Sequence, residues 1–448
     1  MRRCAKKEWL PVPDKKVLII GGGVTGLTAA HRLCRERGLT ITLVESSRDL
    51  GGLAAGFPLL GTRLEKAYHH LFLTDTHALA LIEELGLSGK MMWCESSVGV
   101  CLGGRIYPFT TPLDLLRFKP CGLLGRLRFG VVALYLQKRS HWRPLVGNTA
   151  HDWMARACGK DVMRTIWTPL LKGKFDKYWD AVSMAWLWAR IHSRASSRPR
   201  GGGGERLGYM SGGFAELINA LEAELTRRGV RIRAGVSVKA LQVASARCAL
   251  LADGETVPFD QCLFTGPSPE FARLLPSGQA PAEYARKLAS IVYLGAICLI
   301  FASDQSISEQ YWLNIHEAGA PFLVFIHHTR LVGTELYQGK HVYYIGCYKP
   351  QDSPLFSLND DELAKLWFGY LKSIFPHFDP ARVSERHVFR LRAAQHIVDT
   401  AYEQKIPDYQ TPVPGLFLAN FSQIFPEDRG ITYAVREGLK VAQLMHPA

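Results

Sequence analysis

The stretch from Val17 to Glu45 constrains this chain more than any other. The apolar run Val17-Leu18-Ile19-Ile20 ends in Gly21-Gly22-Gly23-Val24-Thr25-Gly26. A stretch of helical character, Leu27 to Arg37, follows, with Gly38 placed to cap it. A second apolar run, Leu39 to Val44, ends on Glu45. This is a βαβ unit with a dinucleotide fingerprint. Gly21 permits the tight turn. Gly23 lets the backbone approach a pyrophosphate seated at the helix N-terminus, with Val24 and Thr25 in the same turn. Gly26 lets the helix pack closely on the strand. Glu45 lies 22 residues after Gly23, where an acid accepts hydrogen bonds from an adenosine ribose.

Beyond Glu45 runs Ser46-Ser47-Arg48-Asp49-Leu50-Gly51-Gly52-Leu53. Here the chain resembles the FAD-binding superfamily of flavin amine oxidases, protoporphyrinogen oxidases and phytoene desaturases. Its members carry a Gly-Gly pair a few residues after the ribose acid. Leu53 stands where they usually have Arg, and Arg48 supplies a nearby positive charge. Two later blocks extend the resemblance. Gly208 to Phe214 opens a Gly-Gly helix and a strand pair, in which the resemblance implies that Val238 touches adenine through its backbone. Pro414 to Asn420 and Pro426 to Tyr433 resemble the third FAD motif, in which a strand delivers the flavin to a helix N-terminus. Asn420-Phe421 replaces the usual Gly-Asp, and Asp428 arrives eight residues later as the alternative for a ribityl or pyrophosphate contact. The resemblance thus implies noncovalent FAD, held by the first fingerprint, Ser46, Arg48, Gly51, Gly52, Leu53, Val238, Asn420, Asp428, Arg429, Gly430 and Ile431. The backbone amides at Gly430 face the cofactor.

The implied fold is α/β, a Rossmann-like (GR2-type) FAD-binding domain with an inserted α+β substrate domain of antiparallel sheet plus helices. FAD-binding segments are expected at 1–75, 208–270 and 405–448, a helical basic insertion at 76–207, and the substrate sheet and helices at 271–404. The 448 residues suffice for two domains and a large core.

The formal net charge of +14 is unevenly placed. Between Arg105 and Arg200 stand 18 Lys and Arg against 5 Asp and Glu. Such a block suits an anionic membrane surface or an anionic substrate. No nucleic-acid module accompanies it, so nucleic acid is not expected as a partner. Within the block, Leu123, Leu127, Val131 and Leu134 form one helical stripe flanked by Arg117, Lys119, Arg126, Arg128, Lys138, Arg139 and Arg143. A basic amphipathic helix of this kind lies in a bilayer interface, so residues 110–145 are expected to meet an anionic membrane. The ten cysteines form no CxxC pair and no zinc-ligand spacing, so reduced thiols and no metal are expected. Met1 to Glu8 carries basic residues without an apolar stretch, and no run reaches the roughly 18 apolar residues of a membrane span. The expected location is the cytoplasm, peripheral on the inner face of a membrane.

FAD performs the redox chemistry, so the chain need supply only orientation, a dry pocket and a proton acceptor. The candidates for the last role are His327, His328, Tyr107 and Tyr433, with Tyr68, His69, His70, Arg330, Tyr343 and Tyr344 beside them. No GxSxG, HExxH or P-loop occurs. The leading expectation is an oxidoreductase that dehydrogenates a large apolar substrate of lipid, isoprenoid or tetrapyrrole type. The alternatives are a flavoenzyme resembling UDP-galactopyranose mutase, acting on a sugar nucleotide, and a carrier of prenylated proteins resembling the Rab GDP dissociation inhibitors.

Overall fold

The computed structural model describes residues 14–196, 205–244, 246–275, 278 and 280–446. The basic N-terminus and the stretch 197–204, which holds four consecutive glycines, lie outside the described residues.

Five parallel strands make the first layer, in the order Leu416–Leu418, Gln261–Phe264, Lys15–Ile20 (β1), Leu39–Glu45 (β2) and Arg231–Ala234. Val17, Leu18, Ile19 and Ile20 are all buried, as a parallel strand covered on both faces requires. The fingerprint helix spans Val24–Leu33 (α1), not Leu27 to Arg37. The glycine turn runs straight into its first turn, and the chain leaves the helix at Cys34. Gly38 takes φ +72° beside the start of β2. A Cβ at Gly26 would lie 2.0 Å from the Gly21 carbonyl oxygen, which makes this residue the contact point of helix and strand. The last helix, Ile431–Met445, lies against α1, and a Cβ at Gly438 would come within 2.6 Å of the Thr25 carbonyl oxygen.

A seven-stranded sheet forms the second layer. Its order is Val383–His396, Tyr293–Ser303, His341–Lys349, Val324–His327, Trp312–Ile315, Val98–Leu102 and Arg105–Pro108. All neighbours are antiparallel except Trp312–Ile315 with Val98–Leu102. All eleven residues of Tyr293–Ser303 are buried, so the strand lacks the polar alternation of a half-exposed one. The helix Asp360–Ile374 covers one face with Leu363, Trp367, Phe368 and Leu371. Its start is fixed by Asn359, whose side chain accepts from the Asp361 and Glu362 amides in a capping box. The two strands between Val98 and Pro108 form a hairpin around Gly103-Gly104 and complete this sheet from within the 76–207 stretch.

Helices fill the segment between them and the parallel sheet. Leu123–Lys138, Ala150–Cys158, Thr168–Phe175 and Met184–Ser196 enclose their own core around Met154, Leu171, Phe175 and Trp186. A π-helical stretch, Met163–Trp167, interrupts them. Among the described residues, no helix is long and apolar enough to cross a membrane.

One buried carboxyl joins the layers. Glu65, at the end of the hairpin Gly56–Leu59 and Thr62–Glu65, accepts from the Tyr209 hydroxyl at 2.8 Å and from the Phe214 amide. Burial outweighs these bonds and pushes its pKa up to about 7. A carboxyl whose folded pKa is raised contributes stability that is fully present below the unfolded value of about 4.5 and is lost as pH rises through about 7. We therefore expect wild type to lose about 3 kcal/mol relative to Glu65→Gln across that window. Urea unfolding of both proteins at a series of pH values measures the difference. Parallel pH profiles would show that Glu65 does not titrate there.

Candidate functional site

The carboxyl ends of the parallel strands open into a cavity of about 1130 Å³. Its walls also draw on the seven-stranded sheet and the helical segment. Ligands of open parallel sheets bind in this crevice.

At one end stand Gly21, Gly23, Val24, Thr25, Glu45, Gly51, Gly52 and Leu53, all on the cavity wall. Gly21 has φ +112°, and a Cβ there would strike Thr265 Oγ1 at 2.2 Å. Gly23 differs: its φ is −71°, and an added Cβ would meet only Gly52 Cα at 3.8 Å. Among the described residues nothing demands glycine at position 23, and the space beside it is open. Gly23 opens α1 without a side-chain cap and with no acid in the first turn, which leaves amides for an anion. Glu45 accepts from the Gly22 amide at 2.6 Å and the Ser47 amide at 2.7 Å, which fixes the carboxylate and leaves lone pairs for ribose hydroxyls. The second helix N-terminus on the cavity, at Gly430 and Ile431, also lacks a side-chain cap. Asp428 therefore does not cap that helix.

The remaining sites expected for the cofactor divide. Gly26 acts through helix–strand packing and is off the wall. Ser46 is exposed and donates to Glu45 Oε1 at 3.1 Å. Arg48 is exposed and off the wall. Val238 pairs with Leu251 in a separate three-stranded sheet and is off the wall as well. Asn420 reaches the cavity, but its side chain is spent within the protein. Its Oδ1 accepts from the Ser422 amide at 2.8 Å, and its Nδ2 donates to the Gly266 carbonyl at 2.7 Å. Asp428 and Arg429 both lie on the wall.

Of the four leading proton-acceptor candidates, only Tyr433 faces the cavity, and burial pushes its phenol up to about 12. His327 is buried between the Ser308 carbonyl (Nδ1 at 2.7 Å) and His341 (3.1 Å). His328 bonds the Tyr337 hydroxyl at 2.9 Å. Tyr107 packs on Phe118. All three lie away from the cavity, contrary to expectation, because packing covers His327 and His328 on both sides and Tyr107 is half-buried against Phe118. Tyr68, His69 and His70 do line it. Burial lowers His69 to about 4 and His70 well below the usual imidazole range.

Sequence reasoning missed a charged cluster on the same wall. Lys174 donates to Asp428 Oδ2 at 2.9 Å, Arg190 stands 3.6 Å from the same oxygen, and Arg429 donates to Tyr348 Oη at 2.8 Å. Burial opposes ionisation of Asp428, but Lys174, Arg190 and Arg429 outweigh it and hold the carboxyl well below the usual carboxylate range. Lys174 and Asp428 are 254 positions apart, so no local pattern could pair them.

The sequence pattern of the family of flavin containing amine oxidoreductases matches residues 24–446. The chain is 21% identical over 447 residues to 15-cis-phytoene desaturase of Solanum lycopersicum, covering 91% of this chain and 74% of that protein. It is 24% identical over 373 residues to coproporphyrinogen III oxidase of Propionibacterium freudenreichii subsp. freudenreichii, covering 68% of each. Its fold is similar to the crystal structure of a protein of Exiguobacterium sp. 255-15 provisionally described as a protoporphyrinogen oxidase. The TM-score is 0.76 at 19% identity, over 96% of this chain and 98% of that one.

Proposed function

The chain belongs to the family of flavin containing amine oxidoreductases, and from that premise we propose that it dehydrogenates a large apolar substrate of lipid, isoprenoid or tetrapyrrole type, taken up from an anionic membrane surface. It is an FAD-dependent oxidoreductase. Membership of this enzyme family sets aside the prenyl-protein carrier. The cradle fits the dinucleotide: an open position at Gly23, a fixed acid at Glu45 and two uncapped helix N-termini on one cavity. Bound there, FAD supplies the hydride acceptor. The chain supplies the orientation and a water-poor wall, in which Phe129, Trp167, Leu170, Trp186 and Leu323 favour an apolar substrate over a sugar nucleotide.

One observation carries the membrane part. On the helix Leu123–Lys138, Leu124 and Val131 are 71% and 67% exposed, and Leu123, Leu127, Leu134 and Tyr135 are exposed beside them. The opposite face contributes Phe129, Gly130 and Ala133 to the cavity wall, and Leu134 stands at its rim. The apolar stripe is therefore unpartnered, and it lies over the chamber. Arg117, Lys119, Arg128 and Lys138 are exposed around it. Apolar side chains of this size contribute about 1.5–3 kcal/mol each on burial, and each basic group near an anionic surface roughly 1 kcal/mol.

The holoprotein is expected to float with anionic vesicles and to release them at high salt. Leu124→Glu, Leu127→Glu and Val131→Glu together should weaken binding at least about 10-fold. Equal recovery of parent and triple variant with vesicles would remove the membrane from the proposal. The chemical part is tested by anaerobic bleaching of the flavin absorbance with polyenes, porphyrinogens and isoprenoid lipids. A flavin that none of them bleaches would refute that part.

A further inference from the structure

Three cations and one carboxylate meet on one wall of the cavity. Lys174 comes from the helix Thr168–Phe175, Arg190 from Met184–Ser196, and Asp428 and Arg429 from the loop before the last helix. Two phenols complete the group, Tyr348 on the strand His341–Lys349 and Tyr68 after the hairpin. Arg429 donates through Nη2 to Tyr348 Oη at 2.8 Å, and its Nη1 is held by Gln395 at 2.7 Å. The Lys174 ammonium stands 5.4 Å from the centre of the Tyr348 ring. Tyr68 Oη lies 3.4 Å from Tyr348 Oη. The adjacent Lys349 is neutralised by Asp176 at 2.7 Å and adds nothing to the balance.

A buried surplus of positive charge is costly, and a phenolate at Tyr348 offsets part of it. The two phenols are driven apart. Burial raises both. At Tyr348 the charges of Arg429 and Lys174 and the bond from Tyr68 overcome burial and hold the phenol below the usual tyrosine range. At Tyr68 burial and the neighbouring Tyr348 push the phenol well above it. A pair whose proton affinities diverge in this way is an acceptor beside a donor. The other acceptors on the wall are engaged or weakened. Glu45 holds amides, Asp75 accepts from the Phe72 amide at 2.9 Å, Glu205 is bonded to Ser96 at 3.0 Å and faces Arg194, and Asp428 is locked in ion pairs, while burial holds His69, His70 and His316 below the usual imidazole range.

We propose that Tyr348 is a catalytic residue, whose Oη accepts the proton that leaves the substrate during dehydrogenation. The inference rests on the dehydrogenation reading above. FAD, when bound, would supply the acceptor for one substrate hydrogen together with both electrons of its C–H bond. A neighbouring carbon or nitrogen gives up its hydrogen as a proton to the Tyr348 phenolate, and the electron pair left behind forms the new double bond. The substrate is oxidised by two electrons, and Tyr348 returns its proton to solvent by way of Tyr68.

Two readouts test this in the FAD-loaded protein. Ultraviolet titration of wild type should show one tyrosinate forming ahead of the others and missing from Tyr348→Phe. With a substrate found in the bleaching panel, Tyr348→Phe should slow flavin reduction by about 10²–10⁴-fold and remove its rise with pH. Its flavin content should remain that of wild type. A wild-type titration without the early tyrosinate overturns the proposal, as does a Phe variant with the parental rate and pH profile. If no compound bleaches the flavin, the dehydrogenation reading fails, and with it the role of Tyr348, whatever the titration shows. Bleaching with no early tyrosinate sinks Tyr348 alone.

Discussion

A Gly23→Asp protein is expected to fold at least as stably as the parent and to purify without flavin. The two effects have separate causes. The Gly23 φ of −71° suits any residue, and the added Cβ would meet only Gly52 Cα at 3.8 Å. Asp at the start of α1 would also cap an uncapped helix, which contributes a few tenths of a kcal/mol relative to Gly. The same carboxylate would occupy the space left for the pyrophosphate. Like charges in such contact cost several kcal/mol, so FAD affinity should fall by at least about 10²-fold. Gly26→Ala is the contrasting substitution. Its Cβ would sit 2.0 Å from the Gly21 carbonyl oxygen, a backbone atom that cannot move without opening the strand–helix junction. That protein should lose the fold as well as the cofactor. Thermal unfolding and the FAD released by acid separate the two cases. Stoichiometric FAD in Gly23→Asp would mean that the phosphates do not lie at this helix.

That contrast shows how the chain can be read. Gly21, Gly26 and Glu45 answer demands of the local fold and Gly23 leaves open space beside them, all within one short stretch, so a short motif reports them. The buried strand Tyr293–Ser303 and the helix Asp360–Ile374 carry local signals of the same kind, an unbroken apolar run in one and the Asn359 capping box in the other. The reading stopped where distant segments meet. His327 and His328 looked chemically suitable, but the sheet decides which face each residue takes, and these point into the protein. The hairpin between Val98 and Pro108 is legible in the chain around Gly103-Gly104, but its parallel pairing with Trp312–Ile315, which carries it into the distant sheet, is not. The stripe of Leu123, Leu127, Val131 and Leu134 was visible as a pattern. Whether it packs inward or faces outward depends on neighbours that periodicity does not report. The Asp428 cluster is the extreme case, since four segments build it and none announces the others.

That cluster should also dominate stability. Asp428→Asn is expected to cost about 3–5 kcal/mol, because it leaves Lys174, Arg190 and Arg429 in a buried wall without their carboxylate. Unlike the exposed pair of Arg386 with Asp361, worth about 0–1 kcal/mol, this one has its partners only 12% and 6% exposed, at Lys174 and Asp428. Removing the lysine in addition should restore part of the loss. Lys174→Met with Asp428→Asn is expected to be more stable than Asp428→Asn alone, a non-additivity that a double-mutant cycle reads directly. The pH dependence has a defined sign. The folded carboxyl titrates well below its unfolded value, so its contribution is present above about pH 4 and is lost as pH falls toward the folded value. Wild type and Asp428→Asn should therefore converge in stability as the solution is acidified below pH 4. Denaturant unfolding in saturating FAD, at neutral pH and along an acid series, measures both effects with cofactor stabilisation held as equal as possible. A loss under about 1 kcal/mol at neutral pH would show that water reaches the three cations. The wall would then lack the low dielectric that makes one carboxylate against three cations matter.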